Sequence, residues 1–386
     1  MSIPRLNPFA PGYGKRPPVF VGRDHILEDF EDALHSPQHP STAMLLTGPR
    51  GIGKTVTLDK LAEVARANGW RTIRSSAVQK DWLATLTELI VEDHLDFTEA
   101  KTDAAKTAGL SAFGFGVDLD SPKQTEPYKN IRLRKALEIH SRKLAEHGTG
   151  LALLIDEIQS GEIDDVRALD DDHQLIAESE QLPITLTLAA LPSLEAELEA
   201  DNTKATFLQR MDRKLLARLN EIETFDAIAV PFAKYDIGFS SNAHAAIMSN
   251  VEGAPYFAQL LGFELWKIIH KKPASQVNET HVSQAASKAT ATYGRTVVDA
   301  LLSELTPVER TFLMAMAIDD EHSDLRLLAE RIERDPNYAY QYRHKLMEAG
   351  LIKPAGTRMV SFTDPAVRTH LRTTPQYEEF QRKRTA

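Results

Sequence analysis

Between Asp24 and His35 (DHILEDFEDALH) the apolar residues Ile26, Leu27, Phe30, Ala33 and Leu34 recur at three-to-four spacing, which predicts a helix with one buried stripe. Ser41–Thr47 (STAMLLT) is a short unbroken apolar run ending at a glycine turn, the pattern of a buried strand. Helical spacing returns over Lys54–Asn68 and stops at Gly69, a residue suited to the left-handed end of a helix, before the β-type run Trp70–Arg74. Further apolar runs at Leu151–Ile155 and Pro183–Ala190 predict two more strands, with a helix over Lys129–His147 before the first. Thr224–Val230 (TFDAIAV) predicts a fifth strand. Strands without a polar face, alternating with helices, predict an α/β fold: a parallel sheet with helices on both faces. Beyond it the β signal lapses. Ser240–Asn250, Pro255–His270 and Asn278–Tyr293 all carry helical spacing, so an all-α part should follow the sheet.

The C-terminal stretch has a third pattern. Thr306, Pro307 and Glu309 form a helix start, with the threonine as cap, proline in the first turn and an acid three residues after the cap. Helices are predicted over 307–318, Asp324–Glu333 and Pro336–Ala349, the last stopped by Gly350. Leu351–Pro354 and Arg358–Phe362 then predict a hairpin around Ala355–Thr357. Three helices followed by a β-wing predict a winged helix.

Composition narrows the classes. With 386 residues the chain has room for two or three cores, and 42% hydrophobic with 26% charged residues is the balance of an ordinary globular protein. No run approaches the length of a membrane span, so no membrane partner is expected. The first 18 residues hold five prolines and no apolar stretch behind a charged head, so they read as an extended arm, not a secretory signal. The absence of cysteine excludes disulfides and thiolate chemistry and fits a reducing cytoplasm. The net charge of -10 is unevenly spread: 156–180 carries ten acids against Arg167 alone, whereas 336–386 carries nine Lys and Arg against four acids. Asp164, Asp165, Asp170, Asp171 and Asp172 fit no calcium-loop spacing and read as a solvated surface, as do His140 and His147 on their charged helix.

Candidate chemistry concentrates at Gly48-Pro49-Arg50-Gly51-Ile52-Gly53-Lys54-Thr55, which satisfies G-x-x-x-x-G-K-[ST] between a predicted strand and a helix that continues through Val56. Backbone N–H groups of such a loop can encircle a phosphate at the positive end of the helix. Lys54 would reach the outer phosphates of ATP and the Thr55 hydroxyl would ligate Mg²⁺. The apolar strand Leu151–Ile155 ends in Asp156 and Glu157, which supply a metal-holding carboxylate and a general base for the attacking water.

With these residues the chain resembles an AAA+ ATPase of the STAND or initiator-like branch. The resemblance rests on Val19-Phe-Val21-Gly22-Arg23, the P-loop, Asp156-Glu-Ile-Gln159 and Glu252-Gly-Ala-Pro-Tyr-Phe-Ala-Gln259. It implies that Val21, Gly22 and Arg23 lie near the adenine and that Gly253-Ala-Pro255 belongs to a helical lid over the nucleotide; the plain alternative is a loop before a helix with proline in its first turn. It also implies a polar sensor at the end of Ile184–Leu188, for which Thr185, Thr187 and Ser193 are candidates. An arginine finger towards a neighbouring subunit is sought on a helix over Thr203–Leu219, with Arg218 ahead of Arg210 and Arg213; a solvated helix face is the alternative. The expected organisation is a proline-rich arm (1–18), a P-loop ATPase domain (19–232, with an insertion at 98–126 that contains Phe113-Gly-Phe115-Gly-Val117), a lid (233–300) and a winged helix (301–386). The expected activity is slow ATP hydrolysis controlling assembly of a homo-oligomer or a protein partner. DNA is a further partner through 336–372, where Gln341, Arg343, His344, Lys345, Lys353 and Arg358 would meet the duplex; packing against protein is the alternative role for that module.

Overall fold

The computed structural model describes residues 6–12, 15–107, 132–192, 194 and 210–385. The elements run α1 (Asp24–His35), β1 (Ala43–Thr47), α2 (Lys54–Ala67), β2 (Arg71–Ser76), α3 (Trp82–Thr107), α4 (Leu133–Ala145), β3 (Leu151–Asp156), α5 (Ile163–Gln174), β4 (Ile184–Ala190) and β5 (Asp212–Leu215). All five strands are parallel, in the order β2-β3-β4-β1-β5. Alternate residues of each strand face opposite sides. Leu45, Leu153, Ile155, Leu186 and Leu188 meet α3, α4 and α5, while Met44, Leu46, Leu154 and Ala189 meet α1 and α2. The α/β sheet with helices on both faces is as the patterning predicts. Because β4 lies between β1 and β3, the carboxyl ends of β1 and β3 flank a topological switch point, where open parallel sheets bind ligands.

The fifth strand is not where the periodicity put it. Thr224–Val230 lies inside α6 (Glu221–Ala233), which starts with a complete capping box between Asn220 and Glu223. It buries Thr224, Ala227, Ile228, Pro231 and Phe232, a helical spacing that the local alternation disguised. The fifth strand is the polar edge segment Asp212–Leu215, so 212–219 is not helical, and 203–209 lie outside the described residues. Phe113–Val117 also lie outside them; the described part of the expected insertion, 98–107, continues α3.

After α6 come β6 (Gly238–Phe239), α7 (Ser241–Val251), α8 (Pro255–Lys271), β7 (Gln276–Val277), α9 (Glu279–Tyr293) and α10 (Asp299–Glu304). The C-terminal module comprises α11 (Pro307–Met316), β8 (Ser323–Asp324), α12 (Leu325–Arg331), α13 (Pro336–Glu348), β9 (Ile352–Pro354), β10 (Met359–Phe362), α14 (Pro365–Leu371) and α15 (Pro375–Thr385). Its strands form an antiparallel sheet in the order β8-β10-β9. One apolar core runs from α6 through α7–α9 into this module, so no break in packing marks residue 300, and α6 packs with the helices that follow it.

The arm is also part of that core. Phe9 is buried against Phe232 with ring centroids 5.7 Å apart, its ring lies where any side chain at position 262 would be, and Asn7 Nδ2 donates to the Phe263 carbonyl at 3.0 Å. Order therefore begins before Val19. Two surface assignments also change: His140 is buried and its Nε2 lies 2.8 Å from Asp93 Oδ2, and Asp170 is on the buried face of α5. Among the described residues no helix is long and apolar enough to cross a membrane.

Candidate nucleotide site

The loop from Gly48 to Gly53 leaves β1 at the switch point and turns into α2. Gly51 and Gly53 take φ of +78° and +102°, conformations costly for other residues, and no side chain caps the first turn of α2. Ile52 is buried and anchors the loop among Leu46, Leu58 and Leu216. Lys54 is buried too; its Nζ donates to the Gly48 carbonyl at 2.8 Å and the Pro49 carbonyl at 3.2 Å. Burial pushes the Lys54 ammonium below its usual pKa, Glu157 and Asp156 partly restore it, and Arg50 opposes them. Thr55 and Val56 stand at the start of α2.

Across the switch point, Thr55 Oγ1 donates to Asp156 Oδ2 at 2.7 Å, and Asp156 Oδ1 accepts from the Glu157 N–H at 2.9 Å. Glu157 itself takes φ of +54°, and its carboxylate accepts from Gln159 Nε2. Arg74 on β2 pairs with Asp59 one turn beyond Thr55; burial lowers its pKa, and Asp156 opposes that only in part. Arg16 of the arm pairs with Glu63 on the same helix. The hydroxyl and carboxylate in contact are hard oxygen donors that suit Mg²⁺, and the buried ammonium beside them suits phosphate. The described residues contain no cluster of three or more His, Cys, Asp or Glu that could hold a metal unaided.

The other candidates divide. Arg23 is buried, donating to the carbonyls of Gly22 at 2.8 Å and Ala217 at 2.5 Å; burial lowers its pKa and Glu223 opposes that. Arg23 thus ties the Val21-Gly22-Arg23 segment to the chain leaving β5, while Val21 packs on the core of the following helices. Pro255 is the first residue of α8, and Tyr256 Cβ would stand 3.7 Å from a Cβ at Gly51, so this turn lies against the P-loop. Gly253 has φ of +72° and accepts from the Leu219 N–H at 2.9 Å, where a side chain would strike the Leu219 carbonyl. Arg218 sits in a loop, not on a helix. Its guanidinium donates to the Glu252 carbonyl at 2.9 Å and the Thr363 carbonyl at 3.2 Å and lies 3.5 Å from Asp364, so it joins the turn before α8 to the C-terminal module of its own chain.

Thr185 and Thr187 are buried within β4 without hydrogen-bond partners, short of the strand end, and Ser193 lies outside the described residues. In the sequence Gln159 and Tyr256 stand out only as members of the two quoted motifs, and nothing there singles out Phe9 or the Asp59–Arg74 pair.

The order of strands, the Gly48–Thr55 loop and the Asp156 carboxylate facing Thr55 make this an α/β P-loop fold, and residues 19–183 are similar to AAA+ ATPase domains. A family model for the AAA ATPase domain matches residues 19–183, and one described as a domain of unknown function (DUF8462) matches 295–371. Among solved structures, the Walker-type ATPase PABY2304 of Pyrococcus abyssi is similar at a TM-score of 0.62 and 16% identity, over 94% of this chain and 99% of that one. Cdc6p of Pyrobaculum aerophilum matches at 0.47 and 14%, over 97% of each chain. The Orc1 protein of Aeropyrum pernix, solved in complex with DNA, matches at 0.45 and 15%, over 94% and 95%. At these identities the first likeness is one of fold, and the other two are more distant in shape. The comparison with curated proteins found no match.

Proposed function

We propose that the protein is a Mg²⁺-dependent ATP-binding and hydrolysing switch of STAND type, in which nucleotide state controls the lid and, through it, a C-terminal winged helix formed by α11–α13 and β8–β10. The observation that carries this reading is the Thr55–Asp156 contact at 2.7 Å with the Gly253–Tyr256 turn lying against the same loop. The P-loop N–H groups and Lys54 would bind the ATP phosphates, which requires Lys54 to exchange its bonds to Gly48 and Pro49 for phosphate oxygens. Thr55 and Asp156 would hold Mg²⁺, which supplies neutralisation of charge developing on the transferred phosphoryl group. Glu157 would take the proton of the attacking water, and Tyr256 with the lid would exclude bulk solvent. Assembly into a homo-oligomer on ATP fits this reading; Arg218 could reach a neighbour only by giving up its bonds to Glu252 and Thr363.

A DNA-contacting, initiator-like role is the second reading, favoured by the exposed Gln341, His344, Lys345, Lys353 and Arg358. The α13 face opposes it in part. Tyr338 and Tyr342 pack at 4.5 Å, with Arg334 over one ring and Lys345 over the other, so two cations are already engaged with aromatics.

Light scattering on the Glu157→Gln protein with and without Mg-ATP, and with a duplex DNA added to each, tests both. A mass increase with ATP alone is expected; co-elution with DNA, weakened by salt and by Arg343→Ala with Lys345→Ala, would put the second reading first. Lys54→Ala that binds and turns over ATP like the parent would remove the basis of both.

A further inference from the structure

The catalytic carboxylate proposed above does not stand alone. Ile158–Ser160 form a single 3-10 turn whose Ile158 is fully buried, and the Ser160 N–H donates back to the Glu157 carbonyl at 2.9 Å. That turn aims the Gln159 carboxamide in two directions at once. Its Nε2 donates to Glu157 Oε2, and its Oε1 accepts from the backbone N–H of Leu191 at 3.0 Å. Leu191 is the first residue after β4, the strand between the P-loop strand and the Asp156 strand.

Among the described residues, the end of β4 has no polar side chain with which to touch the site. Ala189, Ala190, Leu191 and Pro192 close it, and the hydroxyls of Thr185 and Thr187 are enclosed within the sheet. A backbone N–H is therefore the polar group this strand end presents towards Glu157, and Gln159 is the side chain that captures it. The Glu157 backbone is meanwhile fixed by its N–H bond to Asp156 Oδ1, so the remaining freedom of the carboxylate is the side-chain rotation that the carboxamide restrains.

We propose that Gln159 is a positioning residue for the hydrolytic reaction, a tether through which the strand end at Leu191 sets the orientation of the Glu157 carboxylate. The inference rests on the reading of Glu157 as general base. A carboxamide suits the task because it donates to the carboxylate and accepts from a peptide N–H through one rigid plane, without adding a charge or competing for the proton of water. Leucine has similar bulk and neither function.

The test compares Gln159→Leu, Glu157→Gln and the double variant in the full chain, reading steady-state Mg-ATP turnover, the Kd for a non-hydrolysable ATP analogue and the melting temperature. Gln159→Leu should lower kcat roughly tenfold or more, as displacement of a reacting group by a fraction of an ångström to an ångström does, with the Kd within about twofold and the melting temperature little changed. In the Glu157→Gln background it should lower the residual turnover no further, because there is no carboxylate left to aim. Gln159→Leu with an unchanged or raised kcat overturns the tether while leaving the base intact. So does a fall in kcat matched by weaker analogue binding and a lower melting temperature, since that is what a purely structural role produces. If Glu157→Gln hydrolyses like the parent, the base reading fails first and the tether with it.

Discussion

His173 on α5 is buried beside the sheet, and that burial pushes its pKa down to about 4 from an ordinary 6.5. The folded chain therefore holds this imidazole neutral while the unfolded chain takes up a proton below about pH 6.5. The unfolded state binds more protons between the two values, so stability is undiminished above pH 6.5, falls as pH drops, and levels off below about pH 4. At pH 5 the loss from this residue should be on the order of 2 kcal/mol relative to pH 7.5, from the shift of about 1.4 kcal/mol per pKa unit. Urea unfolding of the parent and His173→Leu at both pH values checks it: the variant should show a pH dependence flatter by roughly that amount, and parallel slopes would mean the imidazole is protonated in the fold. Nothing in the sequence marked His173, whereas Lys54, Thr55 and Asp156 were legible because phosphate chemistry demands those residue types at fixed spacing. Gln159 lacked such a demand. Its role depends on where Leu191 arrives in space, which no local pattern encodes.

At the scale of elements, the arm is the piece whose importance composition concealed. Five prolines in its first 18 residues disfavour a helix, and the described residues 6–12 and 15–18 form none, but that concerns local structure, not docking. Phe9 nevertheless inserts where Gly262 leaves room, beside Phe232, which itself packs on Trp266 at 5.3 Å, while Arg16 grips Glu63 on the helix that leaves the P-loop. The arm thus straps α6 and α8 to α2. Phe9→Ala should remove about 3 kcal/mol of packing, the usual cost of emptying a buried phenylalanine site. Amides of α8 should then exchange with solvent on the order of a hundredfold faster while those of β1 and β3 hold their rates, a contrast read directly by hydrogen exchange. Uniform acceleration would show that the sheet and α8 open as one unit. The same scale holds the misread fifth strand: TFDAIAV alternates over too few residues to outweigh the Asn220–Glu223 cap, and the true edge strand, Asp212–Leu215, is too polar to announce itself.

For the whole molecule, the question is how a change at the phosphates could reach the C-terminal module, and the contacts supply a continuous route. Tyr256, beside Gly51, lies 6.0 Å ring to ring from Tyr293 at the end of α9. The Tyr293 hydroxyl donates to Asp364, the residue that also caps α14 by accepting from the Ala366 N–H at 3.0 Å and stands 3.5 Å from Arg218. Burial, with Asp364 beside it, raises the Tyr293 pKa, so the phenol remains a donor throughout the working pH range. Below it, His370 Nε2 meets Asp299 at 2.6 Å and keeps α14 on α10. Movement of Tyr256 when the loop closes on phosphate would therefore bear on Tyr293, and Tyr293 holds the polar end of α14. Tyr293→Phe keeps the ring contact with Tyr256 and deletes only the bond to Asp364, so ATP affinity should stay within about twofold of the parent while the module loosens by roughly 1 kcal/mol. Hydrogen exchange over α13 and α14 with and without Mg-ATP separates the two effects. In the parent, nucleotide should change protection there; in Tyr293→Phe that difference should shrink or vanish. A variant that retains the full nucleotide-dependent difference would show that the signal travels by another path, such as the Arg218 bonds to Glu252 and Thr363 that also join the Gly253–Tyr256 turn to the module.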